Sequence, residues 1–271
     1  MSSLERQRLV WKHRPFKELC RLAWPISVSM LSYSLMTLVD TLLVARLGAS
    51  ALAGVSVGGV VAFTLLCFGW GLLRSVKVLV SQAVGAGKHG RVPAIVGAGL
   101  LLALAFGLAN VAVGQLLSTE LHRVMATAAS AAQGKAYLDV RVLGAPLFLV
   151  AAALREARHG VGDTRLPMRA AVVANLVNIG LDWVFIFGLS LGVAGAAWAS
   201  VIAHGVDAAL LLAATRRCGS SELGGAAARS GWSAVWISCV YMGAAGLLFA
   251  VFRHQFVGFF SDDPEVVRLG A

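Results

Sequence analysis

Seven stretches of this 271-residue chain are apolar for long enough to cross a bilayer, near residues 20–45, 51–73, 92–117, 136–155, 168–190, 193–214 and 232–252. A spanning helix takes ~20 mainly apolar residues, so each predicts one crossing. The connectors carry turn chemistry: Leu-Gly-Ala-Ser from Leu47, Gly-Ala-Gly-Lys-His-Gly-Arg from Gly85, Gly-Asp-Thr-Arg-Leu-Pro from Gly162 and Ser-Leu-Gly-Val-Ala-Gly from Ser190. No segment alternates polar and apolar positions over ten residues, which is the mark of a spanning strand. The expected fold is an all-α integral membrane protein.

Composition agrees with the pattern. Apolar residues make up 58% of the chain and charged residues 13%, against about 45–50% and about 25% in soluble domains. A net charge of +10 raises the question of nucleic acid, but the basic residues form no stripe; they sit between the apolar runs and read as topology signals. With the N-terminus inside, one face receives Arg6, Arg8, Lys12, Arg14, Lys17 and Arg21, then Arg74, Lys77, Lys88 and Arg91, then Arg155, Arg158, Arg165 and Arg169, then Arg216, Arg217 and Arg229. The opposite face keeps Arg46, Arg123, Lys135, Arg141, Arg253 and Arg268. The expectation is a multi-pass membrane protein with a cytoplasmic N-terminus. The first residues are polar and basic, without the form of a cleavable signal. Cys20, Cys67, Cys218 and Cys239 stand alone, without metal-ligand or disulfide spacing, and read as packing residues.

Among the acids inside the spans are Asp40 in the first and Asp182 in the fifth. A carboxylate in hydrocarbon costs at least ~2.5–3.5 kcal/mol, so each is a functional-site candidate. Counted from the inner ends of their spans, they lie at ~27 Å and ~22 Å along the helix, at similar heights in the outer half. Asn178 precedes Asp182 by one turn and shares its face, and its amide can serve a carboxylate in either protonation state. Three polar groups are thus expected in one pocket, where a proton or a sodium ion would satisfy the charge. Pro25 removes a helical hydrogen bond and gives the first span a bend point.

Blander readings stand beside these. Asp40 has Arg46 nearby as a partner. Asp207 in the sixth span falls toward the inner side, where a basic residue would pair with it. Glu156 reads as part of a solvated charge cluster with Arg155, Arg158 and His159, and His204 as a hydrogen-bonded packing residue. Tyr137 and Trp183 are candidate lining or interface aromatics. Gly85, Gly87 and Gly90 spell a dinucleotide-loop pattern, but a spanning helix precedes it rather than a strand, so the loop reads as a turn. Gly48 reads as a helix stop.

The segment 85–130 recurs in outline at 224–271: a small, basic inner loop, one crossing, then an acidic outer stretch, at an offset of roughly 140 residues. This predicts a six-span unit used twice. The expected division is a cytoplasmic segment 1–19, a six-helix lobe 20–217, and an incomplete second lobe 218–271 with one span.

Several segments together resemble the multidrug and toxic compound extrusion (MATE) transporters: LAWPISVSMLSYSLMTLVDTLLVARLGASALAGVSV, LVSQAVGAGKHGR, YLDVRVLGAPLFL, HGVGDTRLPMRAAVVANLVNIGLDWVFIFGLSLGVAGAAWASVIA and, weakly, FFSDDPEVVRLGA. The resemblance implies a non-enzymatic secondary antiporter that exports amphipathic or cationic compounds in exchange for protons or sodium ions, with no other cofactor. It implies that Pro25 is the bend proline and that Asp40, Asn178 and Asp182 are the coupling residues. Arg74 and Lys77 depart from the small or neutral residues more usual in the second helix, and snorkelling would accommodate them. The incomplete second lobe puts transport by this chain alone in question, and leaves open a non-transporting remnant or self-association of a native short form. Two further alternatives are a lipid-linked sugar flippase, against which the basic residues lie in loops rather than a cleft, and an intramembrane aspartyl protease, which also needs two membrane acids.

Overall fold

The computed structural model describes residues 15–217; the seventh predicted span at 232–252 lies outside the described residues. Within them the chain forms α1 (Pro15–Ala45), α2 (Ala49–Gly85), α3 (Val92–Glu120), α4 (Ala128–Arg141), α5 (Ala145–Gly160), α6 (Arg165–Trp183) and α7 (Gly192–Arg217). No strand occurs among the described residues. A 3-10 turn, Val142–Gly144, welds α4 to α5 into one crossing, so six helical segments are long and apolar enough to span. The weld has a local cause. Pro146 has no N–H to offer the carbonyl of Val142, and the helix tightens there.

The distribution of side-chain size follows from a hydrocarbon solvent. Lipid is as apolar as leucine, so burial of large aliphatics does not hold such helices together; close packing through small residues does. Ala151, Ala152 and Ala153 of α5, Ala170, Ala171 and Ala174 of α6, and Ala196, Ala197 and Ala199 of α7 are all buried. Leu31, Phe68, Leu101 and Leu116 point outward. At two crossings the approach leaves no room for a side chain. A Cβ on Gly54 would stand 2.6 Å from the backbone nitrogen of Gly134, and one on Gly107 would stand 2.4 Å from Cα of Pro146. These contacts clamp α2 to α4 and α3 to α5. On the other side of the lobe α1 lies along α6, α6 along α7, and α7 packs on both halves of the fourth span.

The second span runs further than its apolar stretch predicts. It continues through Arg74 and Lys77 to Gly85, a helix of ~55 Å against a hydrocarbon core of ~30 Å. Its last turns therefore leave the bilayer, which gives Arg74 and Lys77 a polar setting. Arg74 covers the Trp70 ring at 5.5 Å, and Lys77 reaches to 3.8 Å from Glu156. The loop after it is the expected turn, with Gly87 at φ +72° and a 3-10 turn over His89–Arg91. Gly48, at φ +105°, ends the turn between α1 and α2, where a left-handed backbone favours glycine.

Candidate functional site: an acid pair bridged by Asn178

Pro25 stands inside α1 and is fully buried. Its ring cannot donate to the preceding turn, and one turn later Ser29 Oγ donates to the Pro25 carbonyl at 2.9 Å. Beyond this point α1 carries Asp40 to the flank of α6. Asn178 and Asp182 lie one turn apart on α6 and are wholly shielded from solvent, while Asp40 is half-buried.

With the Asn178 amide oriented by its neighbours, its nitrogen donates to Asp40 Oδ1 at 3.0 Å and to Asp182 Oδ2 at 3.2 Å, and its oxygen accepts from the backbone N–H of Ser200 at 3.2 Å. The Asp40 and Asp182 carboxyls thus meet at one amide nitrogen. Asp182 Oδ1 is buried with no partner. Two carboxyls this close cannot both stay ionised without help, so the arrangement calls for a shared proton or a bound cation. The three residues expected in one pocket are brought together there. Arg46, the alternative partner of Asp40, is exposed in the turn after α1.

Arg141 is the residue that sequence reasoning missed. It reads as one of a few outer-face charges, yet it lies in the last turn of α4, one turn from the buried Tyr137. Its Nη1 is buried and unpartnered. Tyr137 and Arg141 are one turn apart and share a helix face, but the direction of that face is set by packing and not by spacing. Tyr137 itself is no interface aromatic. It packs among Val44, Ala51, Ile186 and Val193, behind the acid pair. Trp183, 64% exposed, faces away from the lobe interior. Immediately after it the helix widens into a π turn, Val184–Gly188, of the kind that often sits beside functional residues.

A second polar cluster lies deeper along the same helices. Asp207 pairs with Arg155, as its position predicted, and both also meet the hydroxyl of Tyr33, which donates to Asp207 Oδ2 at 3.2 Å and accepts from Arg155 Nη2. Asn175 Nδ2 donates to Ser32 Oγ at 2.7 Å beside them. The expectation of a solvated cluster around Glu156 is overturned: Arg155, Glu156 and Arg158 are buried, because α5 presents this face to α2 and α7 rather than to water. Arg158 bonds Asp163 and Thr215, each at 3.3 Å. His204 is buried too, edge-on to Phe148, but its Nε2 has no hydrogen-bond partner, contrary to the reading of it as a satisfied packing residue.

Comparison with known proteins gives the chain its relatives. The multidrug resistance protein NorM of Vibrio cholerae serotype O1 (strain ATCC 39315 / El Tor Inaba N16961) is 31% identical over 209 residues, which are 74% of this chain and 45% of that protein. The DNA damage-inducible protein F of Escherichia coli (strain K12) is 35% identical over 193 residues, 69% of this chain and 41% of that protein. Among solved structures, the outward-facing conformation of a multidrug resistance MATE family transporter superposes with a TM-score of 0.67 at 26% identity, covering 74% of this chain and 46% of that one. A MATE crystallised in complex with MaD3S gives 0.70 at 25% identity, covering 78% and 48%. The chain spans less than half the length of these relatives. The MatE family profile matches residues 25–184, a segment that contains Pro25, Asp40, Asn178 and Asp182, and the chain belongs to the MatE family.

Proposed function

We propose that this chain forms the ion-coupling lobe of a MATE-type secondary transporter that exports amphipathic or cationic small molecules in exchange for protons or sodium ions. Its setting in this reading is a bacterial plasma membrane, with the N-terminus in the cytoplasm. The observation that carries the proposal is the meeting of Asp40, Asn178 and Asp182 around an amide bridge, with a free carboxylate oxygen on Asp182. Such a pocket exchanges one cation for another at little structural cost, because the carboxyls keep the Asn178 bridge whether a proton or a metal ion neutralises them. Ion exchange there alters what holds α1 to α6, and α1 has its weak point at Pro25. A change in the bend of α1 then reshapes the surface on which the exported molecule rests.

Thermal unfolding of the purified chain, followed against sodium chloride at constant ionic strength and against pH, tests the ion site. A cation bound only to the folded state raises the melting temperature, by an amount equivalent to about 2.7 kcal/mol at a hundredfold excess over Kd. The parent chain is expected to respond to sodium or to protons, and Asp40→Asn and Asp182→Asn to lose that response. Variants that respond as the parent does would overturn the proposal. Accumulation of a fluorescent cation in cells, with each gradient collapsed in turn, then reads export itself.

A further inference from the structure

We propose that Tyr33, Arg155 and Asp207 are positioning residues for the acid pair: together they form a latch that holds the outer part of α1 in place and that opens whenever α1 bends at Pro25. The inference rests on the reading of Asp40 and Asp182 as an ion-exchange site and adds to it a second set of residues, deeper in the lobe. Tyr33 lies eight residues beyond Pro25 and seven before Asp40, or ~12 Å and ~10.5 Å along the helix. Seven residues are two turns, so Tyr33 and Asp40 share one face of α1.

α1 rests mainly on α6. The Tyr33 hydroxyl carries it further, to the Arg155 guanidinium on α5 and the Asp207 carboxylate on α7. The Arg155 side chain also covers the Tyr33 ring at 5.3 Å. A kink of ~20° at Pro25, the lower limit of a sharp helix kink, displaces a point 12 Å away by ~4 Å. No hydrogen bond survives that shift. Bending of α1 and retention of the Tyr33 contact are therefore mutually exclusive.

Stability alone does not account for the cluster, since a buried ion pair is commonly no better than apolar residues of the same volume. Its bonding is also incomplete. Arg155 Nε and Asp207 Oδ1 are buried without partners. Such a network has acceptors and donors in reserve when the phenol leaves, so that the Arg155 and Asp207 pair persists and the latch can reclose.

The test uses the full chain, with spin labels on Leu42→Cys and the native Cys67 and with Cys20, Cys218 and Cys239 changed to Ser. Leu42 and Cys67 are both exposed. Distances between the labels are measured by electron spin resonance against sodium chloride and against pH. The parent is expected to pass between two distances as the ion changes, and Asp40→Asn to stay at one of them. Tyr33→Phe, which removes one hydroxyl, is expected to populate the bent-state distance at least about threefold more than the parent under the same condition while its melting temperature stays near the parent's. Distance populations in Tyr33→Phe equal to the parent's overturn the latch and leave the acid site standing. An ion response that survives in Asp40→Asn overturns the acid-site reading, and the latch with it.

Discussion

At Asn178 a single amide serves three partners, two carboxyls and a backbone N–H, and no other side chain of its size offers both donors and an acceptor. Asn178→Leu keeps the volume and removes the chemistry. It leaves the buried Asp182 and the half-buried Asp40 without their shared donor and one backbone group with fewer partners, at a cost of ~1–3 kcal/mol for each buried group stranded. We expect a clear fall in melting temperature together with loss of any stabilisation by sodium or by protons. An unchanged melt with the ion response intact would show that the amide is not the bridge. This triad was legible in the sequence because depth along a helix and one-turn spacing are one-dimensional facts. Arg141 was not, since its inward direction depends on how α4 packs on α7, and the burial of Glu156 was hidden for the same reason. A charge run reads as solvated until a neighbouring helix is known to cover it.

Among the elements, the close crossings decide what the lobe tolerates. Gly107→Ala drives a methyl into the backbone of Pro146, where nothing flexible can yield, and such overpacking costs ~1–3 kcal/mol. Gly71→Ala on α2 meets nothing within 4 Å, so there the gain in helix propensity is the main effect, worth ~0.5–1 kcal/mol. Thermal melts of the two variants are expected to move in opposite directions; a Gly107→Ala protein as stable as its parent would mean that α3 and α5 do not approach as described. The six crossings were legible because a run of ~20 apolar residues is set by bilayer thickness. Their ends were less so. α2 outruns its apolar stretch by three turns, and the fourth span starts at Ala128 rather than near 136 because α4 begins with the small and polar residues Ala128, Ala129, Ser130 and Gln133. Hydropathy marks where a helix contacts lipid, not where it stops.

For the whole lobe, the proposed orientation puts the turn after α1 outside the cell and the turn after α2 inside. With Cys20, Cys67, Cys218 and Cys239 changed to Ser, Arg46→Cys should react with a membrane-impermeant maleimide in intact cells, and Lys88→Cys only after the cells are opened. The reverse pattern would invert the topology. The π turn that follows Asp182 adds a constraint of its own. Its amide bonds reach five residues back, as from Leu189 to Val184 at 2.8 Å, and Gly195 of α7 nests against the backbone of Phe185, where a Cβ would stand 2.9 Å from the carbonyl carbon. Removing one residue from Val184–Gly188 would restore ordinary pitch and turn the start of the connector by ~100°, disturbing the close approach of Phe185 to Gly195. A change of length within Val184–Gly188 thus acts as a rotation at the point where the fifth crossing hands the chain to the sixth.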